Sequence, residues 1–296
     1  MESPEGQSRN FGIGMSNQSV REFKDWLAFI IGGACIVLAM IPLVSILVDV
    51  VLRGLPAMNL EFLTSGPGVI GQPGGGIANS IEGTLILVGL TCLIGLPLGL
   101  ISGIFLSEFG DNKYGRFIRF LNDVLSEFPS IVVGILAYSF VVLTVGSFST
   151  IAGAIALSII MMPIVTRATE ESLKLVPSTI RDAAAALGIK KWRSTLSVVL
   201  STGRNGVVTG VLLSIARIAG ETAPLILTVL GSQLFFSGLT KPVDALPLRI
   251  YRLALLPYAS AQQQGWGAAL VLIAIVLVLN VGVRLATRGK LSAVRP

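Results

Sequence analysis

The chain has 296 residues, of which 53% are apolar and only 13% charged, and its mean hydropathy is +0.82. Soluble domains carry about 25% charged residues, so a surface this poor in charge faces lipid and the chain is an integral membrane protein. The net charge of +6 accompanies no RNP or zinc-finger spacing, which excludes nucleic acid as a partner; basic cytoplasmic loops account for it. Histidine is absent, which removes Ser-His and Cys-His catalysis and any His-ligated metal site. Cys35 and Cys92 lie in apolar runs with no CxxC, so there is no disulfide framework.

Residues 1–26 are polar and glycine-rich and read as a cytoplasmic tail before a retained helix, not as a cleaved signal peptide. Gly12 and Gly14 are followed by Asn17, which is not a dinucleotide fingerprint. Six apolar stretches of spanning character follow: 27–52, 81–106, 117–145, 150–165, 207–230 and 267–285. The expected fold is all-α, a polytopic bundle of six spans in a transmembrane region 27–287, with a C-terminal tail 288–296. Trp26 and Trp266, at span edges, read as interface anchors.

Loop charge sets the orientation. Arg21 and Lys24, then Lys113, Arg116 and Arg119, then the run from Arg167 to Arg204, then Arg284 and Arg288 fall on one side. The other side holds Arg53, Lys241, Arg249 and Arg252. This asymmetry predicts cytoplasmic N- and C-termini, in keeping with an even number of spans. Two external segments, 53–80 and 231–264, are long and rich in glycine or proline, which argues for irregular structure able to receive an external partner. The Gly74-Gly75-Gly76 run lacks a following Gly-Lys-Ser or Gly-Lys-Thr, so it is no phosphate-cradling loop, and the chain has no ATP-binding motif.

The cytoplasmic segment 170–203 is too polar to span and too apolar for a solvated tail. Ser178 can cap a helix after Pro177, Ala183–Ala186 are good helix formers ending near Gly188, and a second amphipathic piece, Lys190 to Leu200, follows. Such helices either lie in the lipid interface or fill a groove in a cytoplasmic partner.

Asp182-Ala183-Ala184, three residues, Gly188, nine residues and Val198-Val199-Leu200 resemble the EAA loop of ABC-importer permeases. Asp182 stands for Glu, Val198 for Ile and Ser201 for Pro in that pattern. Further stretches, Asn59-Leu60-Glu61-Phe62-Leu63-Thr64, Gly83-Thr84-Leu85, Pro129-Ser130-Ile131-Val132-Val133-Gly134 and Arg217-Ile218-Ala219-Gly220-Glu221-Thr222, resemble the PstA-type permeases of phosphate ABC importers. The resemblance covers about residues 20–290. It implies a type I importer permease fold in a bacterial inner membrane, with Arg181, Asp182, Ala183, Ala184, Leu187 and Gly188 coupling to a cytoplasmic ATPase. It also implies the partners: a homologous PstC-like second permease, two copies of a PstB-like ATPase and an external PstS-like phosphate-binding protein. No cofactor is expected on this chain; ATP and Mg would be bound by the ATPase.

Arg217 and Glu221 interrupt an apolar run, four residues apart, which on a helix is one face. An intramembrane charge costs at least about 2.5–3.5 kcal/mol on insertion scales and usually faces a protein interior or a water-filled path. An ion pair that only fixes helix packing is the plain alternative, but Arg before Glu is the less favourable order. A guanidinium matches a tetrahedral oxyanion with paired donors, and a neighbouring carboxylate limits how tightly the anion is held. The expected substrate path therefore takes in Arg217, Glu221 and Thr222, with Pro129 and Ser130 where the third span is broken. Pro129 either opens amides to an anion or marks a cytoplasmic helix start preceded by Asp123 and Glu127. Glu127 occupies a position where the family pattern has a small residue. Rival readings are a permease for sulfate or molybdate, and an ion-coupled anion carrier or channel. A membrane enzyme is disfavoured, since no nucleophile stands at motif spacing from a base.

Overall fold

The computed structural model describes residues 15–69, 72 and 74–288. The outermost ends expected as tails, including Gly12 and Gly14, lie outside the described residues. The described residues are helical with no strand. Five helices are long and apolar enough to cross a membrane, and a pair bent by 104° makes a sixth crossing if it is one broken span. The chain divides into two compact units, residues 1–52 and 53–296.

The first unit is carried by α1, Met15–Gly54. The helix starts at Met15, so the stretch 15–26 expected in the tail is helical. Its side chains from 21 to 48 are exposed. Pro42 sits inside it without ending it, as membrane helices allow.

The second unit is organised on α6, Thr150–Lys174, and α3, Ala78–Phe109. Gly95, Gly99 and Gly103 line one face of α3 at i, i+4 spacing, and α6 lies directly against them. A Cβ on Gly99 would stand 2.7 Å from Val165 Cβ, and one on Gly103 2.5 Å from Thr169 Cβ. Association within lipid relies on close packing of small residues, because apolar contact alone gains little over lipid tails. Ser158, Thr166 and Thr169 are buried in this seam; Thr166 donates to the Gly99 carbonyl at 3.3 Å, and Ser158 to the Ala154 carbonyl at 2.6 Å. The fourth span therefore runs on to Lys174, well past the expected end at 165, because its polar end is buried against glycines and ion-paired at Glu170.

The third stretch is not one straight span. α4, Lys113–Glu127, is amphipathic and capped by Asn112, whose Oδ1 accepts from the amides of Tyr114 and Gly115. It meets Ser130–Val145, here α5, at 104°. Pro129 has no amide to donate and holds Phe128 in an extended conformation, so the helix must stop there. α4 is fixed to α6 by Arg119–Glu170 at 2.8 Å and by Asp123–Arg167 at 2.5 Å. A π turn, Tyr138–Val142, lies within α5.

After α7, Ser178–Ala186, the chain enters α8, Lys191–Ala219. The second amphipathic piece and the fifth span expected at 207–230 are thus one continuous helix, shifted toward the coupling loop. A short α9, Ala223–Thr228, follows the break. The next segment contains α10, Leu246–Ala254, and the last helix, α11, spans Ala259–Arg288. Between Arg53 and α3, the chain forms α2, Leu60–Thr64, which Asn59 caps through the Phe62 amide at 2.7 Å.

The irregular segment 231–245 is stapled to the first turns of α3. Asn79 donates to the Ser232 carbonyl, Phe236 N–H donates to Glu82, and Leu246 N–H donates to Thr84 Oγ1 at 2.8 Å.

Gly103→Val is expected to destabilise the unit by about 1–3 kcal/mol through overpacking, read as a lower thermal midpoint in detergent. Gly89→Val, where a Cβ would meet nothing within 4 Å, serves as the control and should leave the midpoint unchanged.

Candidate substrate path and coupling surface

The depth of Arg217 follows from the residues that touch α6. A Cβ on Gly210 would lie 2.3 Å from Ala168 Cβ, and one on Gly206 2.5 Å from Ser172 Oγ. Toward the other end, a Cβ on Gly153 would lie 2.3 Å from Val229 and 3.3 Å from Leu225. Residues 217–221 therefore fall between these levels, near the middle of the 25-residue α6, itself about 37 Å long.

At this depth α8 ends. Ala219 is its last residue, and the Gly220 amide closes the final turn on the Arg217 carbonyl. Glu221 and Thr222 lie in the break, and Pro224 opens α9. The two charged residues do not share one helical face, as four-residue spacing suggested; the helix stops between them. Arg217 Nε stands 3.7 Å from Glu221 Oε1, longer than a hydrogen bond. The Arg217 side chain is 64% exposed and that of Glu221 16%. The pair is loose, with the guanidinium open and the carboxylate half-sheltered.

Arg217 also ends a stripe. Asn205, Thr209, Leu213 and Arg217 are all exposed at i, i+4 spacing, so one face of α8 stays open from the coupling side to mid-depth. The composition of this stretch looks like an ordinary apolar span, and the polar face was missed because Asn205 and Thr209 carry no charge. Ser214, by contrast, is buried and donates to the Val211 carbonyl at 2.7 Å.

The two helix breaks meet. Gly134, one turn into α5, packs against α9: a Cβ there would lie 2.8 Å from Pro224 Cα. Pro129 is exposed and Ser130 half-buried at the start of α5, with the Val132 amide bonded to the Pro129 carbonyl at 2.9 Å. Pro129 and Ser130 are thus brought onto the element that supports the Glu221–Pro224 break. Of the acidic residues before them, Asp123 is paired with Arg167 and Glu127 is exposed.

The coupling segment is built differently from its expected capping. The helix begins at Ser178 itself, after an extended Pro177, with no side-chain cap. Arg181 turns inward: Nε and Nη2 donate to Glu108 Oε1 at 2.9 and 2.8 Å, and Nη2 also donates to the Leu173 carbonyl at 2.8 Å. Lys191 Nζ donates to the Glu108 carbonyl and lies 4.6 Å from the Phe109 ring centroid. Glu108, only 4% exposed, is thus the anchor of the loop on the end of α3. It lies 73 residues from Arg181, and no local pattern signals it. Ala184 is buried, while Asp182, Ala183, Leu187 and Gly188 are exposed, the last with φ of +72° where the chain turns toward α8. Leu175, Leu187 and Trp192 are exposed as well.

Among the described residues no group of three or more His, Cys, Asp or Glu could hold a metal ion.

A broken-helix bundle with an exposed loop of this sequence defines an importer-type membrane permease. The profile of the binding-protein-dependent transport system inner membrane component family matches residues 95–289, and the chain belongs to that family. Within it the chain is a PstA-type permease. It is 41% identical over 265 residues to the phosphate transport system permease protein PstA of Yersinia pestis, covering 89% of this chain and 90% of that protein. It is 37% identical over 279 residues to the probable phosphate transport system permease protein PstA of Methanocaldococcus jannaschii, covering 94% and 99%. In fold it is similar to a chain of a bacterial alginate ABC transporter, with TM-score 0.63, 13% identity and 87% and 92% of the two chains covered. A chain of the MetNI methionine ABC transporter gives TM-score 0.58 at 16% identity, covering 72% and 93%.

Glu108→Gln leaves the Arg181 guanidinium partly buried without its counter-charge, at a cost of about 2 kcal/mol. The expected result is a lower thermal midpoint and accelerated proteolysis within residues 175–191, measured on the purified permease by limited digestion.

Proposed function

We propose that this chain forms half of the translocation path for inorganic phosphate in an ATP-driven importer, and couples that path to a separate ATPase subunit. The observation that carries the reading is the helix break at mid-depth: an open, loosely paired guanidinium at the end of a partly polar stripe on α8. A guanidinium presents planar paired donors to a tetrahedral oxyanion, and it keeps its charge at any working pH. Glu221 limits the net positive charge, so the anion is held weakly enough to leave. Its carboxylate can also accept a hydrogen bond from a protonated oxyanion, which phosphate offers at neutral pH and sulfate does not.

The open stripe of α8 faces a homologous PstC-like permease across the path. Two copies of a PstB-like ATPase sit below and bind ATP and Mg; no cofactor resides on this chain. The exposed Asp182, Ala183 and Leu187 dock into the ATPase, and Arg181 with Glu108 transmits its movement to α3. The coupling loop is cytoplasmic, as are both termini, in a bacterial inner membrane. The opposite segments, 53–77 and 229–258, receive a PstS-like phosphate-binding protein.

Uptake of labelled phosphate by cells expressing the whole system tests this. Arg217→Gln is expected to assemble normally yet lose at least about tenfold in rate, the worth of one charge-assisted bond. Normal uptake by the assembled variant would make the pair structural and remove the reading's main support. Glu221→Gln should weaken discrimination against excess sulfate; unchanged discrimination would refute its role as acceptor.

A further inference from the structure

A second group of charges lies in the segment opposite the coupling loop. Asp244 is fully buried; it accepts a hydrogen bond from Ser80 Oγ at 2.7 Å and is ion-paired with Arg252. Arg249, one turn earlier on α10, is only 9% exposed. The Nε atoms of both Arg249 and Arg252 are buried without a hydrogen-bond partner among the described residues. Burial pulls Arg249 below the usual guanidinium value, opposed by the Asp244 carboxylate. One carboxylate, Asp244, thus faces two guanidinium groups, one of them almost fully buried, which leaves an excess of positive charge at the wall of a cavity. A chain keeps such a charge at a cost unless something else answers it.

Both arginines line a cavity of about 270 Å³, together with Gln72, Gln233, Ser260 and Gln264, whose Nε2 donates to the Gly74 carbonyl at 3.0 Å. No carboxylate is among its lining residues. Gly231, with φ of +82°, lets the chain after α9 pass against the Arg252 guanidinium, where a Cβ would lie 2.1 Å from Nη2. The cavity is smaller than the roughly 300–1,000 Å³ of pockets for larger ligands, and it offers guanidinium, amide and hydroxyl donors to one small guest. Fork-shaped donors beside amides and a hydroxyl suit a tetrahedral oxyanion.

We propose that the Arg249–Arg252 cavity is a second binding site for a phosphate-type oxyanion, a vestibule holding inorganic phosphate before it reaches the mid-depth break. The proposal rests on the phosphate-permease reading and adds a station to it. The two stations are joined through the chain, because the short segment that contains α9 leads from Glu221 to the Leu230–Gly231 turn beside Arg252.

The test is ³¹P line broadening of inorganic phosphate by the detergent-purified assembly of both permeases and the ATPase, without the external binding protein. An Arg217→Gln background removes the mid-depth site. Broadening is expected to persist there, and its apparent affinity to fall about tenfold on adding Arg249→Gln, the loss of one charge-assisted bond. Ser260→Glu, which keeps the Arg252–Asp244 pair intact and places a carboxylate in the cavity, should give a similar fall. If Arg217→Gln alone abolishes broadening, or both cavity variants leave it unchanged, the vestibule is refuted while phosphate uptake by wild type still supports the permease reading. If wild type neither takes up nor broadens phosphate, that reading fails and the vestibule with it. Broadening of a short-chain phosphatidylglycerol in place of inorganic phosphate would assign the cavity to a lipid headgroup and overturn the proposal.

Discussion

The glycine seam between α3 and α6 is the constraint on which the rest of the second unit depends. In lipid, apolar side chains give little drive for association, so two helices hold together where backbones approach closely and small polar groups bond across. Gly95, Gly99 and Gly103 create that approach, and the α6 side chains Met161, Val165 and Thr169 fill it. The same helix repeats the device against α8: Gly203, Gly206 and Gly210 of α8 accept the α6 side chains Leu173, Ser172 and Ala168. α6 is thereby packed against the glycines of two neighbours, and both the loop anchor at Glu108 and the break at Gly220 are positioned relative to it.

Given that frame, the helix breaks set where Arg217 and Glu221 stand. A continuous α8 would bury its amides in its own ladder and leave Arg217 as a costly charge with nothing to do. Ending α8 at Ala219 and restarting at Ala223 opens backbone and carboxylate beside the guanidinium, at a depth where water must reach for any anion to pass. Pro129 ends α4 by the same chemistry, and the two breaks support one another at Gly134 and Pro224. Arg119–Glu170 and Asp123–Arg167 then hold α4 against α6, so Asp123 is committed to pairing while Glu127 stays exposed.

Much of this was legible in the sequence. Hydropathy located the five spanning helices and the bent pair, because lipid exposure demands long apolar runs whatever the tertiary structure. The EAA-like spacing marked the coupling loop, and the Arg217–Glu221 pair stood out by charge alone. Boundaries failed where packing overrides composition. Residues 166–174 look like a loop, yet glycine contacts and ion pairs to Arg119 and Lys174 keep them helical. Residues 191–206 look amphipathic, yet they continue α8 through a π turn at Thr195–Val199. Glu108, Asp244 and Arg249 were invisible as site residues because their meaning lies in partners brought near only by the fold. Arg181, expected among the coupling residues, faces its own chain at Glu108 and the Leu173 carbonyl.

The way charge is compensated follows from what a conducting path requires. An anion must be bound well enough to enter and weakly enough to leave, which favours several modest sites over one deep one. Arg217 has a carboxylate at 3.7 Å, close enough to temper its field and too far to satisfy its donors. Arg252 is held by Asp244, while Arg249 beside it is left under-compensated. On the proposed path, each station would offer roughly one guanidinium's worth of attraction, tempered by one carboxylate. Removing Glu221 or Asp244 would not strengthen transport on this account. It would deepen the well at one station and slow departure from it, so each carboxylate acts on release as much as on fold.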